Sequence, residues 1–346
     1  MIEIDGSYGE GGGQILRTAL SLSCLHRMPF RIFNIRKGRK KPGLMPQHLT
    51  AVRAARLVSA AEVVGDCSGS TELSFSPREV KGGEIFFDIG TAGSTSLVLQ
   101  TLIPALLLGS ARSRVTLTGG THVPFSPSFQ YLAGVFAPVL ASLGVRVEFS
   151  ADSFGFYPRG GGTVRADIYP VDQLRPLRIL ERGSVTGVAG CSAVGNLPLS
   201  IAKRQRDAAL SHITDRLGHL PWPVRIEPVN VPTPGKGTFL FLRMDAEHAV
   251  AGFTALGALG KRAETVGEEA ARELVDYYSS GAPIDEHLAD QIVLYLSLCQ
   301  AESAFVVARV TRHLLTNLWV IGQFRKFEYR VDGNLEEMGR VLINPA

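Results

Sequence analysis

At 346 residues, 45% hydrophobic and 20% charged, the chain can bury a full apolar core without disulfide or metal staples, and its length favours two domains or one domain with a large insert. The four cysteines (Cys24, Cys67, Cys191, Cys299) show no C-x-x-C or Cys/His spacing, which excludes a zinc finger and points to small apolar packing groups in a reducing compartment. A net charge of +4 is only mildly basic. The most apolar stretch, Ser94 to Leu108, is too short to cross a bilayer, and MIEIDGSYGEGG lacks a basic leader, so a cytoplasmic protein without membrane partners is expected.

In chain order, the strand IEID runs into a glycine-rich turn and the helix GGGQILRTALSLSCL. The strand FRIFNIR, a loop, the helix QHLTAVRAARLVSAA and strand-like ELSFS follow. A second unit begins at EIFFDIG and continues through the helix TSLVLQTLIPALLLG, the strand RVTLTGG, the helix SFQYLAGVFAPVLASLG and the strands VRVEFSA and GTVRADI. Apolar residues recur at i, i+3, i+4 in the helices and alternate in the strands, giving β-α-β-α-β-β twice. A third unit is split. Residues 185–280 carry the helix LSIAKRQRDAALSHITDRLG, a proline-rich connector (PWPVRIEPVNVPTPGKG), the strand TFLFLRM and the helix GEEAARELVDYYSSG. The expected architecture is therefore α/β (α+β): a large domain of three βαβαββ units (1–184 and 281–346) with a smaller α/β domain (185–280) inserted in the third.

Several familiar motifs are absent. There is no G-x-x-x-x-G-K-[ST], no G-x-S-x-G and no H-E-x-x-H, and SYGEGGGQ does not space its glycines as a dinucleotide fingerprint. A ligase lysine in K-x-D-G is also missing, because RVDG offers Arg330, which stays protonated.

Four features carry chemistry. The turn Gly9–Gly13 lets backbone approach a ligand and opens a helix whose free N–H groups favour anions. Glu10 within it suits a hard cation beside phosphate, although a tight turn with a solvated glutamate reads equally well. From Arg31 to Lys41, six basic residues occupy eleven positions with no acid among them; the glycine and proline near them argue for a loop presenting cations, against a merely solvated charge run. His313 follows Thr311, a plausible N-cap, and stands with Arg312 in a first helical turn, where a neutral imidazole can attack phosphorus. In His287–Gln291 (HLADQ), Asp290 and Gln291 offer donors and acceptors for a purine edge.

DGSYGEGGGQILRTALSLS, IRKGRKKPGLMPQHLTAVRAA, GTAGSTSLVLQTLIPALL, GFYPRGGG, EHLADQ and RHLLTN, in that order, resemble the signatures of the RNA 3′-terminal phosphate cyclase family over essentially the whole chain. The resemblance implies three repeated α/β units with an inserted smaller domain. It also implies an ATP-dependent reaction in three steps: His313 takes AMP from ATP, AMP passes to an RNA 3′-phosphate, and the 2′-hydroxyl closes a 2′,3′-cyclic phosphate as AMP leaves. By the same resemblance, Glu10 matches a residue near the metal (Mg²⁺ or Mn²⁺). Arg17, Arg36, Arg39 and Gln47 match residues around the phosphates and RNA end. Gln100, His287, Leu288, Ala289, Asp290 and Gln291 match adenosine-binding positions, with Pro127 and Phe253 also facing the nucleotide. The family commonly has an aromatic residue where His287 stands. RNA 3′-phosphate ends are the implied partner, and a homodimer is left open. Two rival classes remain: a cyclase-like branch without the nucleophilic histidine, and enolpyruvyl transferases, which resemble the family in their repeated fold.

Overall fold

A computed structural model describes residues 1–109 and 111–345. The described residues form a mixed α/β fold on four four-stranded sheets. In the first, β1 (Ile2–Asp5) lies parallel to β2 (Phe30–Phe33), and β4 (Leu73–Ser76) pairs antiparallel with both β2 and β3 (Glu62–Val64). β5 (Glu84–Asp88), β6 (Ser113–Gly119), β8 (Gly162–Ile168) and β7 (Val147–Ala151) follow the same order, again with one parallel pair at an edge. So do β9 (Arg178–Ile179), β14 (Ser303–Val307), β16 (Gly339–Pro345) and β15 (Phe327–Asp332). Parallel neighbours need a crossover. Helices α1 (Gly13–His26) and α3 (Thr95–Leu107) supply the first two.

Alternate residues of β6 and β8 are buried, so one face of the sheet packs inward, as period-2 alternation requires. The helices fill the centre: α1 packs against α2 (Pro46–Ser59), α3 and α9 (Arg312–Phe324), and α9 against α8 (Glu286–Ser297). The fourth sheet has the order β11 (Val224–Asn230), β10 (Val185–Gly195), β12 (Gly237–Ala246), β13 (Val250–Leu256). It is flanked by α6 (Leu199–Leu217) and α7 (Ala263–Ser280) and shares with them a second apolar cluster around Leu240, Leu242 and Leu274.

Three local expectations change. The connector at 221–237 contains β11, parallel to β10. Its Pro228 is tolerated because β11 is an edge strand, where a missing N–H breaks no ladder. Strand β13, unrecognised in the sequence, closes the other edge. The helix expected over SFQYLAGVFAPVLASLG is interrupted: α4 (Phe129–Tyr131) and α5 (Ala137–Ser142) flank a π-helical turn over Leu132–Phe136. There the Ala137 N–H reaches the Leu132 carbonyl five residues back, next to Pro138, which has no N–H to give.

Candidate active site

A cleft of about 860 Å³ opens where the N-terminal turns of α1, α2, α8 and α9 converge. Free N–H groups at such helix starts, with the positive ends of their dipoles, favour bound anions. The start of α1 is bare, since Gly12 is its N-cap and supplies no side-chain bond, whereas Asp285 and Thr311 cap α8 and α9. Two glycines of the preceding loop, Gly9 (φ +56°) and Gly11 (φ +62°), hold left-handed backbone that lays the loop on α9. There the Glu10 N–H donates to Thr316 Oγ1 at 3.1 Å. A side chain at Gly13 would collide with the His48 ring and the Arg17 guanidinium, so glycine permits their close approach.

On one wall, Glu10, Arg17, Arg36, Arg39 and Gln47 all line the cleft. Arg39 forms an ion pair with Glu10 and donates Nη2–H to its carbonyl at 3.2 Å. The second carboxylate oxygen of Glu10, Oε2, is buried without a partner. Arg36 also braces its own loop, donating to the carbonyls of Lys41 at 2.7 Å and Gly43 at 3.1 Å. Burial lowers the Arg17 pKa to about 10, opposed by the Asp290 carboxylate, so the guanidinium stays charged at neutral pH.

His313 stands in the first turn of α9, behind the Thr311 cap, whose hydroxyl accepts from the Leu314 N–H at 3.1 Å. Its Nδ1 is hydrogen-bonded to Gln14 Oε1. Burial, and then the positive neighbours Arg17, His287 and Arg39, hold its pKa below the usual 6.5. The ring is therefore neutral at physiological pH, as a nucleophile must be. His48 is buried to 2% exposure. Its Nδ1 accepts the Met45 N–H at 3.0 Å, and burial with Arg17 and Arg36 lowers its pKa to about 3.

On the opposite wall, Gln100 Nε2–H donates to Gln291 Oε1 at 2.7 Å. His287, Asp290, Gln291 and Pro127 line the same wall. Burial raises the Asp290 pKa to about 7, against the lowering influence of His287 and Arg17. Burial opposes charge on His287, but the carboxylates of Asp285, Asp290, Glu286 and Glu273 outweigh it and raise its pKa.

Three expected positions fall elsewhere. Leu288 and Ala289 are fully buried in the core, because the helical period turns residues 287, 290, 291 and 294 to the cleft and 288, 289 and 292 away from it. Phe253 is 6% exposed and packs on Tyr277 with ring centroids 5.4 Å apart. Strand alternation gives the cleft to its neighbours Gly252 and Thr254 instead.

Sequence reasoning missed several groups. Asp285 caps α8, accepting from the His287 and Leu288 N–H groups at 3.0 and 2.9 Å and from the Tyr131 hydroxyl at 3.0 Å. An aspartate directly before the helix was its available signal. Asp285 itself is buried behind the cleft, whereas Gln14, Asn317 and Glu273 line it. Nothing in their local sequence announces it. Among the described residues no group of three or more His, Cys, Asp or Glu side chains could hold a metal ion, and no helix is long and apolar enough to cross a membrane.

Fold and site together define a mixed α/β protein whose converging helix starts, arginines and neutral histidine are suited to phosphorylated ligands. The RNA 3′-terminal phosphate cyclase family matches residues 8–331, and the chain belongs to that family. Proteins named RNA 3′-terminal phosphate cyclase are similar to it throughout. That of Methylococcus capsulatus is 45% identical, over 100% of this chain and 98% of its own. That of Nostoc punctiforme is 43% identical over 96% of each chain, and that of Sulfolobus acidocaldarius 44% identical over 99% of this chain and 100% of its own. The solved enolpyruvyl transferase NikO from Streptomyces tendae aligns with 99% of this chain and 65% of its own at 11% identity, with a TM-score of 0.28, too low to bear on function.

Proposed function

We propose that this chain converts an RNA 3′-terminal phosphate to a 2′,3′-cyclic phosphodiester, using ATP and passing through an AMP adduct on His313. The observation that carries the reading is a neutral histidine at a helix start in the cleft where Arg17, Arg36 and Arg39 gather. A phosphate dianion has no leaving group, so it must be activated before the 2′-hydroxyl can close the ring. Transfer of AMP supplies that leaving group. Arg17, Arg36, Arg39 and Gln47 orient the phosphates and the RNA end, and the cleft holds the reacting atoms together, which removes the entropic cost of their encounter. Gln100, Asp290 and Gln291 read the adenine edge, and His287 and Pro127 flank the base.

Glu10 fits a divalent cation, Mg²⁺ or Mn²⁺. Its Oε2 is orphaned in the cleft, and Mg²⁺ is held by one or two carboxylates with substrate phosphates and water rather than by a protein cage. When bound, such an ion offsets repulsion between phosphates.

The test uses α-labelled ATP with Mg²⁺. The intact chain should acquire one AMP in an acid-labile, alkali-stable bond, and His313→Ala should abolish both the adduct and cyclisation from ATP. Pre-adenylylated RNA should still be cyclised by that variant. An adduct of normal yield on His313→Ala refutes the assignment. The cyclase-like and enolpyruvyl-transferase alternatives both require that no adduct forms on the intact chain.

A further inference from the structure

We propose that Gln14 is a positioning residue that holds the His313 ring in a single tautomer, hydrogen on Nδ1 and lone pair on Nε2, through both transfers of AMP. The inference rests on the reading of His313 as the nucleophile. Gln14 lies one residue into α1 and touches two groups from distant parts of the chain. One is Asp290 on α8, which lines the same cleft; the other is His313 on α9, whose Nδ1 meets Gln14 Oε1 in a hydrogen bond. An amide oxygen only accepts hydrogen bonds, so Nδ1 must carry the hydrogen. The second contact of an imidazole decides which nitrogen is free, and here Nε2 is the free one.

The other cleft histidine has the opposite assignment. His48 Nδ1 accepts the Met45 N–H, so its hydrogen sits on Nε2 and its lone pair is occupied. One ring can attack; the other can only donate.

The chemistry balances without a proton transfer at the ring. The Nε2 lone pair forms a bond to the α-phosphorus of ATP, while the α-phosphorus–oxygen bond to the β-phosphate breaks and its electron pair leaves with diphosphate. The ring then bears AMP on Nε2 and hydrogen on Nδ1, with its positive charge facing Gln14 Oε1. An oxygen of the RNA 3′-phosphate next attacks that phosphorus. The N–P bond breaks, its pair returns to Nε2, and the starting tautomer is restored.

The experiment compares full-length Gln14→Ala, Gln14→Glu and His313→Ala by adduct formation from α-labelled ATP and by ¹⁵N-histidine NMR. Gln14→Ala should slow the adduct by about 10–100-fold, by analogy with the loss when the partner orienting a metal-bound histidine is removed, and should erase the Nδ1–H signature of His313 while leaving the Nε2–H signature of His48. Gln14→Glu again offers an oxygen to Nδ1 and should recover both the signature and most of the rate. A wild-type adduct rate or an unchanged His313 signature in Gln14→Ala overturns the inference. If Gln14→Ala loses the His48 signature as well, it has unfolded, and failure of Gln14→Glu to keep the His313 signature then overturns it. An adduct on His313→Ala overturns the underlying nucleophile reading. No adduct there, with a normal rate in Gln14→Ala, overturns the tautomer role alone.

Discussion

Replacing Asn317 by alanine should uncouple the three helices that carry the site. Asn317 is 5% exposed and its amide spans them: Oδ1 accepts from Thr18 Oγ1–H on α1 at 2.7 Å, and Nδ2–H donates to the Asp290 carbonyl on α8 at 2.7 Å. Truncation leaves the buried Thr18 hydroxyl without this partner and takes a second hydrogen bond from the Asp290 carbonyl, which keeps its intrahelical one. Orphaning the hydroxyl costs about 1–3 kcal/mol and losing the extra bond about 0.5–1.5 kcal/mol. Both groups border the cleft, where water can partly replace the amide, so the sum should fall near 1.5–3 kcal/mol. Thr18→Val orphans only Oδ1 and should cost about 1–2 kcal/mol. Urea unfolding of both single variants and the double variant gives the coupling directly, expected near 1 kcal/mol because the pair shares one bond. Since Asn317 follows His313 by one helical turn, adduct formation should slow as well. A loss below about 0.5 kcal/mol for Asn317→Ala, the range of ordinary surface substitutions, would refute the claim that this amide ties α1, α8 and α9 together.

Glu10→Gln keeps the shape but removes the charge, so it should raise the Mg²⁺ concentration for half-maximal adduct formation; equal activity in EDTA and Mg²⁺ would refute a metal role. Gln100→Ala should blunt discrimination between ATP and GTP, because its amide and that of Gln291 orient each other; unchanged discrimination in competition assays would remove the pair from base reading. Arg36→Ala with Arg39→Ala should weaken use of RNA ends by roughly 1–3 kcal/mol per lost charged contact, with less effect on the adduct; equal loss of both steps would place these arginines at the triphosphate. The His313 ring should titrate below 6.5, since burial and Arg17 disfavour its charge. Its neutral, nucleophilic form then persists above that pH and is lost as pH falls. Arg17→Gln removes a positive neighbour and should raise the NMR midpoint; no shift would refute that coupling.

Much of this was legible locally. The Gly9–Gly13 turn had to precede a helix, Thr311 had to cap one, and their chemistry is spelled within a few residues, because capping and left-handed backbone are short-range demands. The basic run around Arg36 and Arg39 likewise reveals itself by composition. The mixed α/β class follows from the switch between periods of 2 and 3.6. Local patterning fared worse where two rules competed: Pro228 argued against a strand that only its edge position allows, and Pro138 sits in a helical pattern that the chain accommodates with a wider turn.

By itself, then, the amino-acid sequence determined which side chains could do chemistry and the short segments that present them. Tertiary structure alone decided which of those groups meet. His313 and Gln14 are 299 residues apart, as are Thr18 and Asn317, and no periodicity reaches that far. Likewise, Phe253 and Thr254 differ in role only because one face of β13 borders the cleft and the other a core. The physical reason is common to these cases. A helix or strand fixes the relative directions of its own side chains, whereas packing between elements fixes what each direction faces.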